Sequence, residues 1–110
     1  MRSVLPQRRR SETFELRWGK QNTVFAITIG FYDDGSPGEV FISGAKAGSD
    51  LDAASRDNAV LLSIALQHGV PLQVMAGAVT RELDGSPSTI AGKVIDMLVK
   101  AKVNLEVFSN

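Results

Sequence analysis

The hydrophobic pattern changes period once along this chain, and that change constrains the fold more than any other feature. Residues 12–18 alternate: Phe14, Leu16 and Trp18 fall on one face, Thr13, Glu15 and Arg17 on the other. Alternation with period two is the mark of a half-buried strand. A second alternating segment spans about 23–31, with Phe25, Ile27, Ile29 and Phe31 set against Val24, Ala26, Thr28 and Gly30. Both its faces are fairly apolar, which suits the central strand of a small sheet. Glu39–Ser43 reads as a third strand. Gly19–Asn22 and Asp33–Gly38 separate the three segments with turn residues, so an antiparallel meander is the simplest pairing.

From Asp50 the period becomes helical. Leu51, Ala54, Asn58, Leu61, Leu62 and Ala65 form the stripe expected to face inward, with Asp52, Arg56, Ser63 and Gln67 opposite. Ser49 or Asp50 is suited to cap this helix, and Gly69 with Pro71 to end it. A short helix is predicted from Pro71 through Leu72, Val74 and Met75. Another is predicted over about 87–102, with Ile90, Val94, Met97, Leu98 and Ala101 inward and Lys93, Asp96 and Lys100 outward. Val103, Leu105 and Val107 alternate with Asn104 and Glu106, which leaves a short fourth strand open. Asp-Gly-Ser-Pro occurs at 34–37 and again at 84–87 with different flanks, and reads as shared turn chemistry. The expected fold class is α+β: a three-stranded antiparallel meander packed on one face by about three helices.

At 110 residues the length suits one domain, and 44% apolar with 22% charged residues suits a folded globular chain. There is no cysteine, which excludes disulfides, thiolate zinc sites and a thiol nucleophile. A lone His68 and scattered carboxylates make no metal motif, and no catalytic triad is spelled out. No apolar run is long enough to cross a membrane, and residues 1–10 lack the apolar stretch of a secretory signal. A cytoplasmic location is the default expectation.

Twelve basic groups balance twelve acidic ones, but unevenly. Arg2, Arg8, Arg9 and Arg10 give residues 1–10 a side-chain balance of +4, leaving eight basic and twelve acidic groups in the rest. A basic arm over 1–11 can contact phosphates or pair with the acidic body. The loop Ser43–Asp50 leaves a strand and enters a helix, with Gly44, Lys46, Gly48 and Ser49 as candidate anion ligands. Free amides at a helix start beside a lysine can hold a phosphate. The Gly-Lys-Ser/Thr order of a P-loop is absent, and the alternative is a connection that only caps its own helix. Arg8, Arg9 and Arg10, with aromatic side chains on the strands, also allow a nucleic-acid reading, against which stands ordinary core packing.

Four segments together resemble a known succession: Leu5–Ser11, Gly35–Ser43, Ala45–Ser49 and Ala65–Leu72. They are similar, over about residues 4–75, to the C-terminal TSCPD domain of adenosylcobalamin-dependent (class II) ribonucleotide reductases, also found as small stand-alone proteins. The tail from 76 onward is not matched. The resemblance implies a single TSCPD-like α+β domain over 12–110 preceded by the arm. The family's cysteine radical, its redox cysteine pair and the Thr-Ser-Cys-Pro-Asp motif are all missing here, so no catalytic residue carries over. Adenosylcobalamin belongs to the full-length enzymes, and no cofactor is expected on this chain.

The expected function is therefore an accessory or regulatory module in deoxyribonucleotide metabolism, non-catalytic on its own. Its binding partner would be a nucleotide or phosphate, or the reductase itself, through Arg8, Arg9, Arg10, Gly44, Lys46, Gly48 and Ser49. The alternatives are a nucleic-acid-binding module using the arm, and an enzyme resting on acids, lysines and His68. The edges of a three-stranded sheet make homo-oligomerisation an expectation as well.

Overall fold

The computed structural model describes the whole chain except Ala45, Ala47 and residues 109–110, with side chains as far as Lys102. Three strands, β1 (Ser11–Trp18), β2 (Thr23–Phe31) and β3 (Pro37–Ser43), precede three helices, α1 (Asp50–Gln67), α2 (Leu72–Ala78) and α3 (Ile90–Phe108). The sheet order is β1-β2-β3, antiparallel throughout. This is the α+β arrangement that the change of period predicts. The chain divides into two compact units, Met1–Gly69 and Val70–Asn110.

In the first unit the alternation sets the register. Phe14 lies opposite Ile27, and Ile27 opposite Ile42; Leu16 lies opposite Phe25, and Ile29 opposite Val40. Direct cross-strand partners share a face, so these side chains make one apolar surface. Phe25, Ile27, Ile29, Val40 and Ile42 are almost completely buried. The other face carries Thr13 and Thr28, whose hydroxyls meet at 2.9 Å, together with the exposed Phe41. The central position of β2 explains why neither of its faces is polar.

Helix α1 packs along β3, but on a different side from the one hydrophobicity picks out. Of the predicted stripe Leu62 is buried and Ala65 half-buried, but Leu51, Ala54, Asn58 and Leu61 are exposed, whereas Asp52, Ser55, Ala59 and Gln67 are buried and Ser63 is half-buried. The helix is turned by about one residue, roughly 100°, from the predicted stripe. Hydrogen bonds explain most of this. Ser63 and Gln67 bond the β3 backbone, and Asp52 takes the guanidinium of Arg56 at 3.3 Å. Buried polar groups are tolerated when they are paired in this way. The Ser55 hydroxyl is the exception, fully buried with no partner among the described residues.

In the second unit α2 packs on α3, with Leu72, Ile90, Val94 and Ile95 buried. Helix α3 starts at Ile90, three residues later than the predicted 87, because Thr89 caps it: its hydroxyl accepts the Gly92 amide at 3.0 Å. Ala101, predicted inward, is exposed. The open fourth strand does not form, since Val103, Leu105 and Val107 lie within the continuation of α3 to Phe108. Extending an existing helix adds a hydrogen bond per residue without a new nucleus, so a five-residue alternation does not outweigh it. The side chains of those residues are outside the described set.

The two Asp-Gly-Ser-Pro copies adopt the same turn. Asp34 accepts the amide and hydroxyl of Ser36 at 2.9 and 2.6 Å, and Asp84 does the same with Ser86. Gly35 and Gly85 sit at φ +88° and +89°, which the turn requires.

Candidate functional site

The basic arm is anchored to the body of its own unit. Gln67, at the end of α1, is the main attachment. Its backbone carbonyl accepts the Ser3 amide at 2.7 Å, its side-chain oxygen accepts Arg2 Nε at 2.5 Å, and its side-chain amide donates to the Gly38 carbonyl at 2.9 Å. Tyr32 completes the attachment by donating its hydroxyl to the Ser3 carbonyl at 2.5 Å. Gly38 is needed in this corner, because a Cβ there would lie 2.5 Å from the Tyr32 ring and 2.7 Å from Leu5.

The candidate arginines of the arm are placed differently from one another. Arg9 engages Glu39 with both Nε and Nη2 and also donates to the Pro6 carbonyl at 2.7 Å. Arg10 stacks its guanidinium over the Phe31 ring, 4.4 Å from the centroid, a cation–π contact. Arg8 is exposed and faces no acid among the described residues. The body's acids thus take up part of the arm's charge.

The loop candidates lie at the other end of β3. Glu39 and Ser43 are four residues apart on that strand, roughly 13 Å. The fold therefore does not gather the arm arginines and the loop around one point on β3. In the loop, Gly44 sits at φ +123° and Gly48 at φ +79°. Ser49 is the N-cap of α1: its hydroxyl accepts the Asp52 amide at 3.1 Å and donates to the Lys46 carbonyl at 2.6 Å. Asp50 and Asp52 occupy the first turn, where carboxylates complement the helix dipole. Ser49 thus serves one of the helix's own amides, which is the geometry of a cap. Ala45 and Ala47 lie outside the described residues.

A groove of about 590 Å³ runs between β3 and α1. It is within the size range of ligand sites. Phe41, Val60 and Ile64 line it and are 57%, 55% and 40% exposed. Arg2 and Arg56 also line it. Arg2 holds Gln67, near the C-terminal end of α1, and Arg56 folds back to Asp52, near the N-terminal end. Ser63 covers part of the strand edge, binding both the N–H and the C=O of Val40. Sequence reasoning missed this groove, reading Ser63 and Gln67 as outward-facing. The available signal was the spacing of Asp52, Ser55, Ser63 and Gln67, polar residues that recur on one side of the helix.

The second unit has its own polar centre, also unseen in the sequence. Arg81 donates to both carboxylate oxygens of Asp96 at 2.9 and 2.7 Å, to the Ala76 carbonyl and to the Gly85 carbonyl. One side chain thereby ties the end of α2 and the 84–87 turn to α3. The Arg81 guanidinium holds the Asp96 carboxyl below its usual range. The Ser36 and Ser86 hydroxyls, helped by their amides, do the same for Asp34 and Asp84.

Fold and groove together define a small α+β domain whose polar features bind its own backbone and whose apolar side chains lie open beside a strand edge. The chain belongs to the TSCPD domain family, which it matches over residues 2–101. That match runs well past residue 75, where the sequence resemblance stopped. Among curated relatives, it is 47% identical over 49 residues to the vitamin B12-dependent ribonucleotide reductase of Rhodopirellula baltica, covering 44% of this chain and 5% of that enzyme. The corresponding reductases of Bradyrhizobium diazoefficiens and Agrobacterium fabrum are 35% and 34% identical over 79 residues, 72% of this chain and 6% of each enzyme. The chain thus spans about one-twentieth of the length of these relatives. No solved structure matches it. Among the described residues, no helix is long and apolar enough to cross a membrane.

Proposed function

We propose that this chain is a non-catalytic accessory module of a ribonucleotide reductase system and acts by docking on the reductase. Its relation to one small region of those enzymes supports the system. The observation that carries the docking reading is the set of exposed apolar side chains that line the groove between α1 and β3. Phe41 on β3 and Val60 and Ile64 on α1 are each at least 40% exposed and line that one groove. Clustered exposed apolar surface of this kind marks interaction sites. The absence of cysteine supports a role without radical chemistry of its own.

The test is binding of the purified chain to the purified vitamin B12-dependent reductase of its host, followed by biolayer interferometry. Saturable binding that weakens for Ile64→Asp is expected. No association at micromolar reductase would refute the docking reading.

Nucleotide or phosphate binding at the arm is a second reading. It is favoured by one observation, the exposed Arg8 beside Arg9 and Arg10. Calorimetric titration with ribonucleotides and deoxyribonucleotides separates the two, because the docking reading needs no nucleotide.

A further inference from the structure

The groove between β3 and α1 has two properties that together select one kind of occupant. Its walls are apolar where Phe41, Val60 and Ile64 stand exposed. Its ends carry guanidinium groups with donors to spare. Arg2 uses Nε on Gln67, Arg56 uses Nε on Asp52, and the terminal nitrogens of neither have a partner among the described residues. Glu39, which lines the groove, is paired with Arg9, and Asp52 is paired with Arg56, so among the described residues Arg2 is held by a neutral amide and by no acid. Arginine forks suit carboxylates bidentately.

The backbone of the strand edge takes no part, since Ser63 occupies the Val40 N–H and C=O and Ile42 is only 2% exposed. The occupant is selected by side-chain contacts and by the distance between the two guanidinium groups, which an extended peptide spans and a compact ligand does not.

We infer that the groove takes an extended acidic segment of a partner protein. The segment would carry two carboxylates about six residues apart, flanking apolar side chains. The spacing follows from the helix. Asp52 and Gln67, which mark the two guanidinium positions, are fifteen residues apart on α1, roughly 22 Å at the helical rise. Six residues of extended chain span about 20 Å, and an even separation keeps both acids on one face. This inference rests on the docking reading and assigns its surface and the chemistry of the docked segment.

The probe is the fluorescein-labelled peptide Asp-Thr-Leu-Thr-Leu-Thr-Asp, titrated with the full chain and followed by anisotropy. Saturable binding is expected, at least fivefold weaker for Arg56→Gln, for Val60→Ser and for the peptide with Asn in place of both Asp. All these changes are at exposed positions, so an unchanged melting temperature verifies that the variants are folded. Absence of binding at millimolar chain, or binding indifferent to all three changes, overturns the inference. So does displacement of the peptide by dATP at lower concentration than by unlabelled peptide. The same variants tested against the host reductase keep the two proposals apart. A reductase that binds wild type, Arg56→Gln and Val60→Ser equally removes the groove assignment and leaves docking standing. A peptide that binds while the reductase does not removes docking and leaves the groove.

Discussion

Ser63 on α1 closes part of the β3 edge by bonding both backbone groups of Val40. Its hydroxyl accepts the Val40 N–H at 2.8 Å and shares its proton between the Val40 and Ala59 carbonyls, at 3.1 and 2.8 Å. One small side chain thus stands where a neighbouring strand would otherwise pair. Replacing it with alanine leaves the Val40 amide and carbonyl to water at the groove wall. Ser63→Ala is expected to lower stability by about 1–2 kcal/mol, measured by urea denaturation. A loss below a few tenths would show that water replaces the hydroxyl fully.

Ser55 should behave in the opposite way. Its hydroxyl is buried with no partner among the described residues, a cost that removal of the oxygen relieves. Ser55→Ala is therefore expected to leave stability unchanged or raise it by up to about 1 kcal/mol. A marked loss in the same denaturation assay would mean that the hydroxyl has a partner after all.

The arm depends on Gln67, whose side chain holds Arg2 and Gly38 together. Gln67→Leu removes both bonds but keeps the bulk. Trypsin should then cut after Arg8, Arg9 or Arg10 several-fold faster than in wild type, since cleavage follows local opening. Equal cutting rates would show that Ser3 and Tyr32 hold the arm without that side chain.

Asp96 introduces a dependence on pH. Its folded-state pKa is depressed by Arg81, so the unfolded chain binds this proton more readily. The stabilisation is complete above the unfolded value of about 3.9 and is lost as pH falls through the lower folded value. Between pH 6 and 3 the urea midpoint of wild type should fall more than that of Asp96→Asn. Parallel curves for the two proteins would show that the pair adds nothing to this dependence.

The two loop glycines are expected to differ. A Cβ on Gly44 would lie 2.4 Å from the Val24 carbonyl oxygen, at a φ of +123°. Gly44→Ala should cost about 2 kcal/mol or more. Gly48 has the positive φ but open space around it, so Gly48→Ala should cost only about 1 kcal/mol. Thermal melts of the two variants check the order.

The sequence alone determined the local structure and the ancestry. Alternation in 12–43 and helical spacing from Asp50 settled the meander and the first long helix, because both periods follow from backbone geometry. Asp-Gly-Ser-Pro settled two turns, since the Asp and Ser side chains close them without help from distant residues. The lack of cysteine meant that no family cysteine could be matched to a position in this sequence. The tertiary structure alone decided which side of α1 is buried, where the arm's arginines end and that a groove exists. Hydropathy favoured Leu51 and Leu61 for the interior, but Ser63 and Gln67 are drawn inward by carbonyls and amides of a strand more than twenty residues earlier. Arg81 needed Asp96, fifteen residues on, before it could join α2 to α3. Such bonds between distant residues form only once the chain has folded, and local period carries no record of them.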